Sequence, residues 1–303
     1  MRSSSNNSRL TVLIALFSSV VWFSKDTNGA TILFLNEDCF LTDKCDDTIG
    51  DAILISGDIE KGDSAKFREI VKRSGLALTR VILRSRGGDV MEAMNIGRDI
   101  RKLLLETEGP DIDYDTNQSL AYLGGDHPLC FENGFMGYAG SRFKGTTQCN
   151  CASACFLIYV GGAKRLKSYI GIHRVYLDRK DYGRMSLDDA AKLYKEIKRP
   201  LIEYLDEMGV SRRYADIMLQ TSSTDMYVVK YPEMMSEFVG WIPEIEEWLI
   251  SKCQTISDKQ IEQQMKEAVR SQQLKAFMDS RSDRASCIWD ALLDERIKRK
   301  QAF

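Results

Sequence analysis

Arg80-Val81-Ile82-Leu83-Arg84 runs directly into Ser85-Arg86-Gly87-Gly88-Asp89, and this junction decides the fold. Val81, Ile82 and Leu83 are consecutive and apolar, which predicts a strand buried on both faces. Gly87-Gly88 lets the backbone turn sharply, and Asp89 is suited to capping a helix. From Asp89 onward Val90, Ala93, Met94, Gly97, Ile100 and Leu104 recur at helical spacing. The same grammar stands upstream. Ala52-Ile53-Leu54-Ile55-Ser56-Gly57 reads as a buried strand ending in a turn, and Asp63 or Ser64 caps a helix through Ser74 with Phe67, Ile70 and Val71 on one face. Strand, helix, strand, helix predicts an α/β domain with a mainly parallel sheet and crossover helices.

Residues 109–148 interrupt the pattern. They are rich in Gly, Asp and Asn, hold Cys130 and His127, and show no sustained period. Such a stretch in a compact domain reads as a functional cover or a tied-down excursion. Regular structure is predicted again over Ala152 to Val160, closed by Gly161-Gly162. Tyr169 to Val175 reads as a strand, and Ser186 to Asp206 as a helix opening with a Ser186-x-x-Asp189 capping pattern. A helix over Ser211 to Leu219, a short strand over Asp225 to Val229 and a short helix over Pro232 to Phe238 come next. Beyond about Glu244 the chain becomes charged and Gln-rich, the profile of a solvated helical appendage. The expected division is 1–30, 31–245 and 246–303.

The first thirty residues read as an export leader. Arg2 and Arg9 precede an apolar run from Leu10 to Phe23, and a polar, small-residue exit leads to Gly29-Ala30. That run is shorter than the about 20 residues a bilayer crossing needs. Cleavage is expected near Ala30, although Asn28 is an unfavourable residue three positions before that cut. The expected location is exported, periplasmic or secreted; the alternative is an uncleaved membrane anchor. Eight cysteines, Cys39, Cys45, Cys130, Cys149, Cys151, Cys155, Cys253 and Cys287, then read as disulfide partners, because an exported compartment is oxidising. Zinc is the rival, but no pair has C-x-x-C spacing. Proximity favours Cys39–Cys45, and Cys253–Cys287 as a staple across a helical hairpin.

Composition narrows the function. Forty-two Lys and Arg against 44 Asp and Glu leave a net charge of −2, without the basic excess of a nucleic-acid binder. The chain has 2 histidines, His127 and His173, too few for a histidine-rich metal site. No metal and no cofactor are expected.

Three pieces carry chemistry. Ser153 stands where an irregular segment turns into the apolar Ala154-Cys155-Phe156-Leu157-Ile158-Tyr159-Val160, close to free backbone N–H groups of the kind that stabilise an oxyanion. Serine is also a preferred N-cap with no further role. Gly87-Gly88 can present N–H groups without side-chain obstruction, or can simply make a tight turn. His173 shares a strand face with Gly171 and Tyr169, so Gly171 leaves room beside an imidazole able to accept a hydroxyl proton. A hydrogen-bonded structural histidine is the plainer alternative, and His127, beside Pro128, is the poorer base.

In this order the pieces resemble the ClpP/crotonase superfamily, specifically ClpP-like serine proteases and their exported relatives. Ser85-Arg86-Gly87-Gly88-Asp89-Val90 resembles the family's Ser-Pro-Gly-Gly turn, and Cys151 through Arg165 its nucleophile helix. Gly171-Ile172-His173-Arg174 resembles the strand bearing its histidine. Thr224 to Val229, followed by Pro232-Glu233 and Phe238-Val239-Gly240-Trp241, resembles the segment bearing its aspartate. The resemblance spans roughly residues 50 to 242 and implies a ββα superhelix with a helical C-terminal extension. It also implies Ser153 as nucleophile, His173 as general base and Asp225 as the group orienting the imidazole. The oxyanion would lie on the N–H groups of Ala154 and Gly88, with Gly87 as a neighbouring alternative. Asp206 and Asp178 are rivals for the third position, and Lys164 or Lys167 for the base.

Arg86 departs from the family's proline and adds a charge beside the oxyanion site. Cys151 and Cys155 flank the serine, with Cys149 or Cys130 as partners for either. The implied function is an exported serine hydrolase, a peptidase acting on a peptide or protein. The alternative is a catalytically inactive binding or assembly protein. A crotonase-like acyl-thioester enzyme conflicts with export. By resemblance the chain would form a homo-oligomer.

Overall fold

A computed structural model describes residues 29–35, 52–74, 78–110, 112–113, 118–119, 151–174, 185–222, 224–254 and 258–303. The apolar leader run, His127, Asp178 and cysteines 39, 45, 130 and 149 lie outside the described residues. The first half of the chain holds β1 (Thr31–Leu35), β2 (Ala52–Ser56), α1 (Asp63–Arg73), β3 (Arg80–Arg84), α2 (Val90–Lys102), β4 (Glu106–Glu108), β5 (Ile112–Asp113) and β6 (Gln118–Ser119). Then come β7 (Cys151–Ala152), α3 (Ala154–Val160), β8 (Lys164–Arg165), β9 (Ile170–Ile172), α4 (Leu187–Glu207), α5 (Arg213–Gln220), β10 (Tyr227–Val228) and α6 (Tyr231–Glu237). The chain closes with β11 (Gly240–Trp241), α7 (Pro243–Cys253), α8 (Asp258–Arg270) and α9 (Leu274–Gln301).

The main sheet has the order β1-β2-β3-β4-β8-β11. Its four middle strands are parallel, and β1 and β11 join antiparallel at the edges. Burial on both faces explains the unbroken apolar runs. Ile53, Ile55, Val81 and Leu83 enter the main core, while Ala52, Leu54 and Ile82 form a separate cluster with Leu33. A second sheet, β10-β9-β7, carries the segments that the sequence marks for chemistry. Two expected strands are shorter than their patterns. The 169–175 run pairs over Ile170–Ile172, and the 225–229 run over Tyr227–Val228.

Asp89 caps α2 as expected, accepting the Glu92 N–H at 3.0 Å. Helix α3 is apolar all round and fully buried, so it needs close neighbours on every side. Glycines provide one of them. A Cβ on Gly161 would lie 2.5 Å from the Gly97 Cα, and one on Gly97 would lie 1.9 Å from the Tyr204 hydroxyl. That hydroxyl donates to the Leu157 carbonyl at 2.6 Å, tying α4 to α3. The carbonyl end of α3 is capped by cations. Arg101 Nη2 donates to Val160 and Gly162, and Arg165 Nη2 to Val160 and Met208. Burial, with the Arg101 charge nearby, pushes Arg165 down to about 10.

The C-terminal helices are less solvated than their composition suggests. Leu249 and Leu292 pack on Leu104 and Ala163, and the buried Arg296 donates from Nε and Nη2 to the Leu104 carbonyl at 3.1 and 2.9 Å. Lys300 reaches Ser74, and the expected Cys253–Cys287 disulfide staples α7 to α9. Among the described residues no helix is long and apolar enough to cross a membrane.

Because nothing at the Gly97 crossing has room to yield, Gly97→Ala should destabilise the protein by about 1–3 kcal/mol. Urea unfolding followed by far-UV circular dichroism measures this, and an unchanged midpoint would refute the crossing.

Candidate active site

Strand β7 delivers Ser153. It lies between two neighbours, pairing in parallel with β9 and bridging to Ser85 on its other side. The Ala152 N–H donates to Ser85 O at 3.0 Å, and the Ser153 N–H to Gly171 O at 2.9 Å. Immediately afterwards the chain becomes α3, so the whole change of direction falls on Ser153, at φ 54° and ψ −120°. A side-chain-bearing residue there is strained by about 1–3 kcal/mol, as in a strand-to-helix nucleophile elbow.

A disulfide closes the elbow. Cys151 pairs with Cys155, with 5.2 Å between their Cα atoms, so neither is left for Cys149 or Cys130. Both cysteines are fully buried, and the bond encloses Ser153 between them.

The β3–α2 turn lies directly against this elbow. A Cβ on Gly87 would stand 2.7 Å from Ser153 Cβ and 2.8 Å from the Ala154 nitrogen, and one on Gly88 would stand 2.0 Å from Ile59 O. Both glycines have positive φ, 108° and 139°, so neither position accepts a side chain. Their amides differ. The Gly87 N–H donates to Ser85 Oγ at 3.0 Å, whereas those of Gly88 and Ala154 meet no acceptor among the described residues. Among the described residues Gly88 and Ala154 therefore keep free donors, and Gly87 is already engaged. Arg86 extends away as a fork on Asp58 (3.2 and 2.9 Å), so its charge is paired at the surface.

His173 follows β9 and is half-buried, with Nδ1 2.9 Å from the Arg174 carbonyl oxygen. A carbonyl only accepts, so in this contact Nδ1 carries a proton, which in the neutral ring leaves the lone pair on Nε2. The Arg174 backbone is itself anchored by its N–H to Thr221 O at 3.0 Å. Asp225 precedes β10, is exposed, and donates its N–H to Ser222 O at 3.1 Å. Continuing the β9–β10 register places Met226 opposite His173 and Asp225 opposite Arg174.

No hydrogen bond joins Ser153, His173 and Asp225 among the described residues. Topology places their segments at the same end of one sheet. In the order β10-β9-β7 the middle strand is parallel to β7 and antiparallel to β10. Residues following β7 and β9 and preceding β10 therefore share one end of the sheet, and those residues are Ser153, His173 and Asp225.

Three features escaped the sequence. The Arg174 carbonyl orients the imidazole, a role no side-chain pattern reveals. The Ser85 hydroxyl occupies one of the two glycine amides. The space expected beside Gly171 is filled, since a Cβ there would lie 2.2 Å from Met226 Sδ. Three of the rivals are engaged elsewhere, and Asp178 lies outside the described residues. Lys164 stacks over Trp241, Lys167 over Tyr231, and Asp206 forks with Arg212. No group of three His, Cys, Asp or Glu among the described residues could hold a metal ion.

No family model matches the chain, and no curated protein matches it. Among solved structures it is distantly similar to a point mutant of ClpP1 from Listeria monocytogenes, with 16% identity, a TM-score of 0.34, and coverage of 61% of this chain and 85% of that one. ClpP1 from the same organism gives 14% identity and a TM-score of 0.34, covering 60% and 84%.

Cys151→Ala with Cys155→Ala should leave the secondary structure in place and cost about 2 kcal/mol, the loop-closure value for so short a ring. Urea denaturation of the two proteins tests this, and equal stability would show that the cross-link does not hold the elbow.

Proposed function

We propose that the protein is an exported serine hydrolase of ClpP/crotonase-like architecture, acting on peptide or protein substrates. One observation carries the reading. Ser153 stands in a strained elbow, and the amides of Gly88 and Ala154, on the segments that meet there, have no acceptor among the described residues. An ordinary N-cap serine sits in relaxed extended backbone and spends its hydroxyl on the helix. Ser153 has no such cap bond.

In this mechanism Ser153 Oγ attacks the substrate carbonyl while His173 Nε2 takes its proton. The carbonyl oxygen becomes an oxyanion and accepts from the Gly88 and Ala154 N–H groups, which have no acceptor among the described residues. Collapse of the tetrahedral adduct breaks the C–N bond, and the imidazolium returns its proton to the leaving amine. Water, deprotonated by the same imidazole, then hydrolyses the acyl-serine ester. The Arg174 carbonyl keeps the required tautomer. Asp225, at the same sheet end, completes a triad when the ring exchanges that carbonyl for its carboxylate.

A second reading has its own observation: Ser153 is only 3% exposed and no hydrogen bond reaches it from His173, as in a catalytically silent binding scaffold.

A fluorophosphonate probe separates the two. Labelling of the wild-type protein should vanish in Ser153→Ala and slow about a hundredfold or more in His173→Gln. Asp225→Asn should also slow labelling, and an unchanged rate would remove Asp225 from the triad. Absence of labelling in the folded wild type, or labelling that survives Ser153→Ala, would favour the scaffold.

A further inference from the structure

We propose that the Gly29–Ala30 peptide bond is a processing site, and that the α-ammonium group released on Ala30 is held by the buried carboxylate of Asp63. The Ala30 nitrogen already donates to Asp63 Oδ2 at 2.9 Å. Asp63 is fully buried and Ala30 is 4% exposed. The same carboxylate accepts the Glu60 N–H at 2.7 Å and Lys66 Nζ at 2.7 Å, so it stands as an anion among donors.

Gly29 lies against this group. A Cβ on it would be 3.0 Å from both Asp63 Oδ1 and Lys66 Nζ, and its φ of +145° is one that residues with side chains rarely adopt. A cut after Gly29 places Gly29 and Thr27, both small, one and three positions before the break. A cut after Ala30 would place Asn28 at the third position. The buried contact and the leader pattern therefore select the same bond, one residue earlier than composition alone suggests.

The reaction is hydrolysis by a leader peptidase of the export route. Water adds across the Gly29–Ala30 C–N bond, its oxygen goes to the Gly29 carboxylate, and the Ala30 nitrogen leaves as an amine that takes up a proton. An ammonium group offers the carboxylate a full charge and three donors where the peptide offers one N–H. It shares the Asp63 carboxylate with Lys66, whose side chain is 38% exposed and can carry its charge in water, so the buried α-ammonium takes the buried anion. Because Ala30 is buried once β1 docks, the cut precedes folding, and folding closes over the new terminus.

The test starts from the full 303-residue chain, carrying a carboxy-terminal tag and exported into a bacterial periplasm. Intact mass and Edman degradation should give Ala30-Thr31-Ile32 as the first residues. A retained leader or a start at Thr31 would overturn the processing site. Reductive methylation with formaldehyde and cyanoborohydride, mapped by peptide mass, then tests the docking. In the native protein the Ala30 α-amine should react at least about tenfold more slowly than in the urea-unfolded protein, the factor a charge-assisted hydrogen bond provides. The exposed Lys192 amine serves as the reference that folding leaves unprotected. In folded Asp63→Asn the protection should be lost. Equal α-amine rates in native and unfolded wild type would overturn the ion pair, whether or not the variant folds.

Discussion

Two glycines, Gly97 and Gly161, let α2 and the end of α3 meet backbone to backbone, and the position of Ser153 follows from that contact. Helix α3 is short and apolar on every face, so its own hydrogen bonds do little to hold it. Its place is set by its surroundings. Tyr204 reaches the Leu157 carbonyl, two arginines close its last turn, and Phe156 lies against Tyr214 and Phe238. With α3 immobilised at one end, the strain of the entering chain falls on the single residue before it.

The energies at the elbow are matched in size. A residue at φ 54° costs about 1–3 kcal/mol, and a cross-link between Cys151 and Cys155 supplies about 2 kcal/mol by restricting the unfolded chain. The disulfide thus offsets the strain close to where it arises. The glycine turn facing it works by omission. Without side chains, Gly87 fits against Ser153 and Ala154, and Gly88 against the Ile59 backbone. The cross-linked elbow and the facing turn are two segments distant in sequence, held in register by the bridge between Ser85 and Cys151.

Much of this is legible in the sequence, for local reasons. The buried strands around residues 53 and 82, the capped helix from Asp89 and the apolar helix after Ser153 each follow from patterns spanning a few residues. The Cys253–Cys287 staple follows from nearness in a helical hairpin. The Cys151–Cys155 bond does not, because it needs the sharp turn at Ser153 that no composition encodes. The two-residue strands β8 and β11 are equally silent, being too short for alternation to show. The C-terminal helices look solvated in sequence because their buried contacts run through arginine and lysine, whose charged tips find backbone carbonyls while their stems lie on the core.

Sequence by itself determined the longer buried strands and amphipathic helices, the glycine turn, the serine before an apolar helix and the histidine on a short strand. These are consequences of side-chain size, polarity and spacing, which act over a turn or a strand. Only the tertiary structure decided that the segments bearing Ser153, His173 and Asp225 end at one edge of one sheet, and that the imidazole rests on the Arg174 carbonyl. It also decided that Met226 fills the space over Gly171. Strand order and register come from the packing of the whole core, and a one-residue change of register would move each of these side chains to the opposite face.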